Sequence, residues 1–140
     1  MTVTSGAQGS LHPYVSVHAA ATLATPTSDE RAARYTEIDG TLAFFDVSGF
    51  TPMTERLATL GRAGAEHIND VLNVVFTGLI DAVSDWGGDV LEFGGDAMVV
   101  LCSRDRDAEQ AAAGAAAAFA FLRRITPVRT PVGRVRLGMS

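Results

Sequence analysis

Cysteine is almost missing from this sequence: Cys102 stands alone among 140 residues. One thiol cannot build a disulfide framework within the chain, which fits a reducing compartment. Cys102 closes an apolar run that begins at Ala97, and it reads as a small buried hydrophobe. Long apolar runs are missing as well. No stretch reaches the ~18 residues of a membrane span. Met1 to Ser10 has neither a basic n-region nor an apolar h-region, so no secretory signal is expected there. These absences give the expectation of a cytoplasmic chain with no membrane span. Positive charge is scarce, with 11 basic residues against 16 acidic ones and a net charge of -5. A nucleic-acid-binding module is normally basic, so no nucleic-acid partner is expected. Apolar side chains are abundant instead. At 47% hydrophobic and 19% charged, the chain can build a core, and its length allows one domain or part of one.

Residues 1–10 are small and polar and are expected to be disordered. Residues 1–35 as a whole read as a flexible or partly ordered lead-in. Pro13, Pro26 and the Thr/Ser cluster from Thr22 to Ser28 suggest loops there, and Tyr14, Val15, Val17 and Leu23 are its candidate anchors. The domain proper is placed at 36–140. Thr41 to Val47, dense in Phe and Val between Asp39-Gly40 and Ser48-Gly49, predicts a buried strand. Thr51 as cap and Pro52 in the first turn predict a short helix ending near Gly61. Ile68, Val71, Leu72, Val75, Phe76, Leu79, Ile80 and Val83 recur at three and four residues, which predicts a long core-facing helix ended by Gly87-Gly88.

Asp89 to Phe93 and Asp96 to Cys102, joined by Gly94-Gly95, predict a tight hairpin. Asp105 to Ile125 predicts an alanine-rich helix with Ala112, Ala116, Phe119 and Leu122 facing inward. Pro127 and Pro131 bracket a predicted loop. Val135, Leu137 and Met139 then alternate with Arg134, Arg136 and Gly138 as a fourth strand. That strand is still running at Ser140, so 36–140 is expected to be the N-terminal portion of a larger domain. The order βααββαβ with short connections favours a ferredoxin-like α+β fold, an antiparallel sheet with helices packed on it.

In that topology the first strand lies antiparallel beside the third. The end of one and the start of the other then bring Asp46 and Asp96 to one sheet edge. A carboxylate inside an apolar run is costly unless paired or metal-bound. Each has an ordinary alternative: Asp46 as the cap of the turn after its strand, and Asp96 as a partner for the hairpin's own backbone. Two carboxylates together beside glycine-rich backbone suit Mg²⁺ or Mn²⁺, which are held by one or two carboxylates plus phosphate oxygens. Two such ions assist a displacement at phosphorus. Ser48, Gly49, Phe50 and Thr51 lead into a helix N-terminus whose N–H groups suit a triphosphate, and the Val47 carbonyl is a further candidate metal ligand.

Phe45-Asp46-Val47-Ser48-Gly49-Phe50-Thr51, followed by Glu55-Arg56-Leu57, resembles the first metal motif of class III adenylyl and guanylyl cyclases. Leu91-Glu92-Phe93-Gly94-Gly95-Asp96-Ala97 resembles the second, and Asn69 to Phe76 resembles part of the family's long helix between them. The likeness is greatest to the soluble, bicarbonate-responsive adenylyl cyclase type and its bacterial relatives, over roughly residues 36–140. The resemblance implies cyclisation of a nucleoside triphosphate to a 3′,5′-cyclic monophosphate with release of pyrophosphate. The ribose 3′-hydroxyl attacks the α-phosphorus, and Asp46 and Asp96 hold two ions. It also implies a second cyclase domain as partner, in a homodimer or a paired-domain arrangement.

Glu92 stands where many family members carry a lysine. In a homodimer a glutamate there suits guanine; in the paired-domain case it falls at a pseudosite, and ATP is the expected substrate. The family's transition-state asparagine and arginine lie beyond the fourth strand, so the 140 residues alone are expected to be inactive. A regulatory cyclase-homology module that binds nucleotide without turnover is the alternative from another class. Gly94-Gly95-Asp96 also resembles the related GGDEF-type palm, which carries a glutamate where this chain has Ala97. The remaining candidates are weaker: His12, His18 and His67 lack metal-ligand spacing, Trp86 reads as a core or interface plug, and Arg123, Arg124, Arg129, Arg134 and Arg136 read as a solvated basic end.

Overall fold

The computed structural model describes residues 16–24, 37–103 and 107–140 of the 140. The chain divides into two units, Met1–Glu37 and Ile38–Ser140. The expectations for residues 1–10 and for Pro13, Tyr14, Val15 and Pro26 lie outside the described residues. In the first unit, Val17–Ala24 is a helix, α1, where the sequence suggests only a loop-bearing lead-in. The Ser16 hydroxyl accepts the Ala19 N–H at 3.0 Å, which is the bond an N-cap serine makes.

The second unit holds β1 (Thr41–Ser48), α2 (Phe50–Ala58), α3 (Arg62–Ser84), β2 (Asp89–Gly94), β3 (Ala97–Cys102), α4 (Asp107–Ile125), β4 (Val128–Thr130), β5 (Gly133–Val135) and β6 (Gly138–Met139). Four strands form one antiparallel sheet in the order β2-β3-β1-β6, and β4 and β5 form a separate two-stranded ribbon. This is the ferredoxin-like α+β arrangement that the element order predicts. No helix among the described residues is long and apolar enough to cross a membrane.

β1 is buried on one face only. Phe45 and Val47 lie in the core with Met98 and Val100 of β3 and with Met53, Leu57, Val75 and Leu79 of α2 and α3. Leu42, Phe44, Asp46 and Ser48 alternate with them and are exposed; Phe44 is 70% exposed. The composition of Thr41–Val47 suggests burial on both sides, but the helices cover a single face of an antiparallel sheet, and the other stays open.

Gly49 turns the chain from β1 into α2 at φ 97. A Cβ there would lie 2.5 Å from the Arg136 carbonyl oxygen, so only glycine fits. The N-cap is therefore Gly49 and not Thr51, which is already helical, with Pro52 in the first turn. At the other end of α3, the Gly88 N–H reaches the Val83 carbonyl at 3.0 Å and the Gly87 N–H reaches Ser84 at 2.9 Å. Gly87 sits at φ 81, so the Gly-Gly pair closes the helix as a Schellman motif.

Three further expectations are corrected. Gly94 pairs with Ala97, so the hairpin turn is Gly95-Asp96 rather than Gly94-Gly95, and Asp96 sits in the turn rather than in β3. Gly95, at φ 70, supplies the left-handed residue that the turn needs. In α4 the buried positions are Ala111, Gly114, Ala118 and Leu122, while Ala112, Ala116 and Phe119 are exposed. A run of alanines has almost no amphipathic contrast, so its phase is set by packing against α3. Finally, the predicted single strand from Arg134 is two pieces. Gly133–Val135 folds back on β4, between the two prolines expected to bracket a loop, and Gly138–Met139 joins the main sheet beside β1. The change of partner falls at Leu137, whose N–H is accepted by the Thr126 hydroxyl at 3.0 Å.

Candidate functional site

β1 and β3 run in register from Thr41↔Cys102 to Asp46↔Ala97. That register puts Asp46 beside the Gly95-Asp96 turn. The Val47 N–H donates to the Asp96 carbonyl at 3.1 Å. Asp46 is exposed on the open face and Asp96 is half-buried in the turn. On its other side Asp46 exchanges both main-chain bonds with Ser140, at 2.9 and 3.0 Å. The Val47 carbonyl shares the side of the strand that carries the Asp96 bond. Among the described residues no backbone donor beyond the turn reaches it.

The next residues complete the same corner. Ser48 ends β1 exposed and pairs with Gly138. No side chain caps the N-terminus of α2, so the N–H groups of Phe50 and Thr51 face outward from the first turn, which is an anion-receptive arrangement. The Phe50 side chain belongs elsewhere: it is buried and stacks on Phe76 at 5.9 Å, and Phe76 meets Phe93 edge-on at 5.5 Å. These three rings tie the start of α2, the middle of α3 and the β2 strand into one rigid frame under the corner.

Glu92 reaches the open face through an irregularity. The β2–β3 pairing slips by one residue between Val90 and Glu92, which leaves Leu91 in a bulge. Glu92 is then opposite Val99, which is opposite Phe44. Rows of the open face therefore run Glu92–Val99–Phe44 and Gly94–Ala97–Asp46. Strand spacing puts the Glu92 and Asp46 backbones about 12 Å apart.

The structure thus brings together Asp46, Val47, Ser48, Gly49, Phe50, Thr51 and Asp96, and places Glu92 on the same face at a distance. Among the described residues no group of three or more His, Cys, Asp or Glu side chains is placed to hold a metal ion. The donor set at the corner is two carboxylates with an open carbonyl. That set is too sparse for an all-protein cage, and it fits Mg²⁺ or Mn²⁺ whose other ligands are water and phosphate.

The remaining candidates separate from the corner. His67 is exposed on α3, and Trp86 is 49% exposed at the end of that helix. Arg56, within the first motif, donates to the Val132 carbonyl and braces the β4–β5 ribbon. Cys102 is buried as expected, and burial first, then the nearby Asp107 carboxylate, push its thiol up from the ordinary range. The exposed pair Leu42 and Phe44 beside Asp46 is the feature that sequence reasoning misses. The sequence carries no signal for it, because Leu42 and Phe44 on one face are as apolar as Ala43, Phe45 and Val47 on the other.

No protein-family model matches the chain. Adenylate cyclase type 10 of Rattus norvegicus is 42% identical to it over 71 residues, covering 49% of this chain and 4% of that protein. The Homo sapiens protein of the same name is 41% identical over 70 residues, again covering 49% of this chain and 4% of its own length. Among solved structures, a bacterial light-regulated adenylyl cyclase superimposes with a TM-score of 0.51 at 18% identity, covering 73% of this chain and 31% of that one. The chain therefore spans a small fraction of each curated relative, and the structural likeness bears on the fold alone. A sequence match to adenylate cyclases and an α+β sheet of the same fold make this a class III cyclase-like domain.

Proposed function

We propose that this domain binds a nucleoside triphosphate through two Mg²⁺ or Mn²⁺ ions and, paired with a second cyclase domain, converts ATP to 3′,5′-cyclic AMP and pyrophosphate. The observation that carries the reading is the β1–β3 register, which sets Asp46 and the Asp96 turn side by side next to the uncapped start of α2.

Asp46 and Asp96 are the proposed metal ligands, with the Val47 carbonyl as a third oxygen. When bound, the ions lower the barrier by activating the ribose 3′-hydroxyl and neutralising the departing pyrophosphate. The N–H groups of Phe50 and Thr51 and the Ser48 hydroxyl orient the polyphosphate. Gly49 allows close approach because it has no Cβ. The three-ring frame of Phe50, Phe76 and Phe93 holds these groups still, and pre-set geometry accounts for much of the acceleration in such reactions. The apolar open face around Phe44 and Leu42 is the proposed contact with the second domain, and the 140 residues alone are proposed to be inactive without it.

A second reading follows from the position of Glu92 on that face. In a symmetric pair, Glu92 meets the base and accepts from the N1–H and amino group of guanine, making the enzyme a guanylyl cyclase. A binding domain without turnover is the outcome if neither substrate reacts. Incubating the domain and a partner cyclase domain with Mn²⁺ and either ATP or GTP, followed by chromatographic identification of the products, tests all three. Cyclic AMP supports the proposal, cyclic GMP supports the second reading, and nucleotide binding without product supports the regulatory one.

A further inference from the structure

α3, the end of α4 and the start of the β4–β5 ribbon line an open groove of about 410 Å³. Its floor is apolar: Val71 and Val75 of α3, Ile125 at the end of α4, and Val128 of β4. Its two banks carry opposite charge. Asp70 and His67 line the α3 bank, one turn apart, while Arg129 and Thr130 line the ribbon bank.

Two features set these charges apart from an ordinary solvated surface. Arg129 is directly opposite Arg134 in the ribbon, a juxtaposition of like charges that is destabilising by itself. The segment from Arg123 to Ser140 holds five arginines and no acidic residue, so no carboxylate of the ribbon is available to relieve them. The acid that shares a cavity with Arg129 is Asp70. Yet among the described residues Asp70 and Arg129 form no ion pair, either with each other or with a third charge. Val74, on the same bank as Asp70, is left 61% exposed at the rim.

The geometry points to a site for a small zwitterion with an apolar body, of the class of an aliphatic or aromatic amino acid. The carboxylate pairs with the Arg129 guanidinium and the ammonium with Asp70. The side chain covers the floor and Val74, and Thr130 offers a hydroxyl at the carboxylate end. A concave apolar floor with a few convergent polar groups is the usual build of a small-molecule site, and an arginine fork suits a carboxylate. The site is independent of the Asp46–Asp96 corner and stands whether or not the cyclase proposal does.

The test is calorimetric titration of the full 140-residue chain with leucine, with its deaminated analogue 4-methylpentanoate and with its decarboxylated analogue 3-methylbutylamine, alongside methyl NMR shifts. The expected result is leucine binding that moves the Val71, Val75 and Val128 methyl resonances. Each analogue should bind about tenfold or more weakly, the factor that a charge-assisted hydrogen bond contributes. Asp70→Asn and Arg129→Gln should each cost leucine a similar factor. Both positions are exposed, so an unchanged melting temperature separates lost binding from lost folding. No binding up to about 10 mM leucine, weaker than the millimolar range that a few contacts provide, overturns the inference. So does equal binding of the two analogues, or leucine affinity unchanged by either substitution.

Discussion

The main-chain N–H of Val47 donates to the carbonyl oxygen of Asp96 at 3.1 Å, across the gap between the end of one strand and the turn of a hairpin. This bond makes the Asp46–Asp96 corner a property of backbone register rather than of side-chain placement. The carboxylates can be altered without disturbing what positions them. Asp46→Asn and Asp96→Asn should therefore fold normally. With Mn²⁺ and ATP at about 100 times the dissociation constant, the wild-type chain should gain about 2.7 kcal/mol of stability. Each variant should lose most of that gain, and EDTA should reverse it in the wild type. A melting series with and without metal reads all of this. Equal metal stabilisation of wild type and both variants would place the ions elsewhere.

Substitution of Glu92 reports on the partner. If the domain pairs with a different cyclase domain, Glu92→Lys should leave the ATP:GTP preference unchanged. If it forms a symmetric dimer, the same change should swing preference towards ATP, by a factor on the order of 10⁴ at most, because a hydrogen-bonding site rejects the analogue it cannot satisfy. Product ratios for the two proteins, assayed side by side, decide between the cases.

Phe44 is 70% exposed while its neighbour Phe45 is 3% exposed. Phe44→Ser should change stability by no more than about 0.5 kcal/mol, as surface changes usually do. It should weaken association with a second cyclase domain at least about tenfold, as the loss of an aromatic anchor does. Sedimentation of the mixed domains, set beside a denaturant melt of the variant alone, separates the two effects. Pairing unaffected by Phe44→Ser would remove the open face from the proposed interface.

Gly49 and Gly61 both have positive φ, but they differ in surroundings. Gly61→Ala, with nothing within 4 Å of the added Cβ but a backbone at φ 62, ψ -133, should cost about 2 kcal/mol of backbone strain. Gly49→Ala meets the Arg136 carbonyl as well and should cost on the order of 3 kcal/mol. It should also reduce triphosphate binding, because α2 shifts. Urea melts of the two variants test the ranking, and equal costs would refute it.

The Cys102 thiol lies above its ordinary range in the folded chain, because burial and then Asp107 disfavour the thiolate. The unfolded chain ionises first as pH rises past about 8.5. Above that point the unfolded state is stabilised by losing the thiol proton, which the folded state still holds, so folding stability should fall until pH passes the raised folded value. Below it, Cys102 adds no pH dependence. Cys102→Ala should flatten the alkaline limb of a melting-temperature profile measured from pH 7 to 10, and an identical limb would assign it to other groups.

Much of this was legible because the sequence carries strong periods. The α3 stripe and the Gly87-Gly88 stop each encode a local geometry with a physical cause, and the pairing of Asp46 with the Asp96 turn follows from strand order. What was not legible lacked contrast or depended on distant packing. The alanine run of α4 could not fix its own phase. Thr51 looked like a better cap than Gly49 because the Arg136 carbonyl that excludes a Cβ is remote in sequence. The end of the chain read as one strand because Val135, Leu137 and Met139 alternate evenly; only the fold shows that Val135 and Met139 serve different sheets.

The extra residue at Leu91 decides which side of the sheet each later residue of β2 occupies. Side chains alternate along a strand, so one inserted position inverts everything after it. Here the inversion sets Phe93 on the helix side, edge-on to Phe76 and still half exposed, and Glu92 on the open side in the row of Phe44. Deleting a single residue there would exchange them, turning a carboxylate towards α3 and taking the ring away from Phe76. Relatives of this domain could then change which chemical group confronts a ligand by altering hairpin length alone, with the residues themselves left in place.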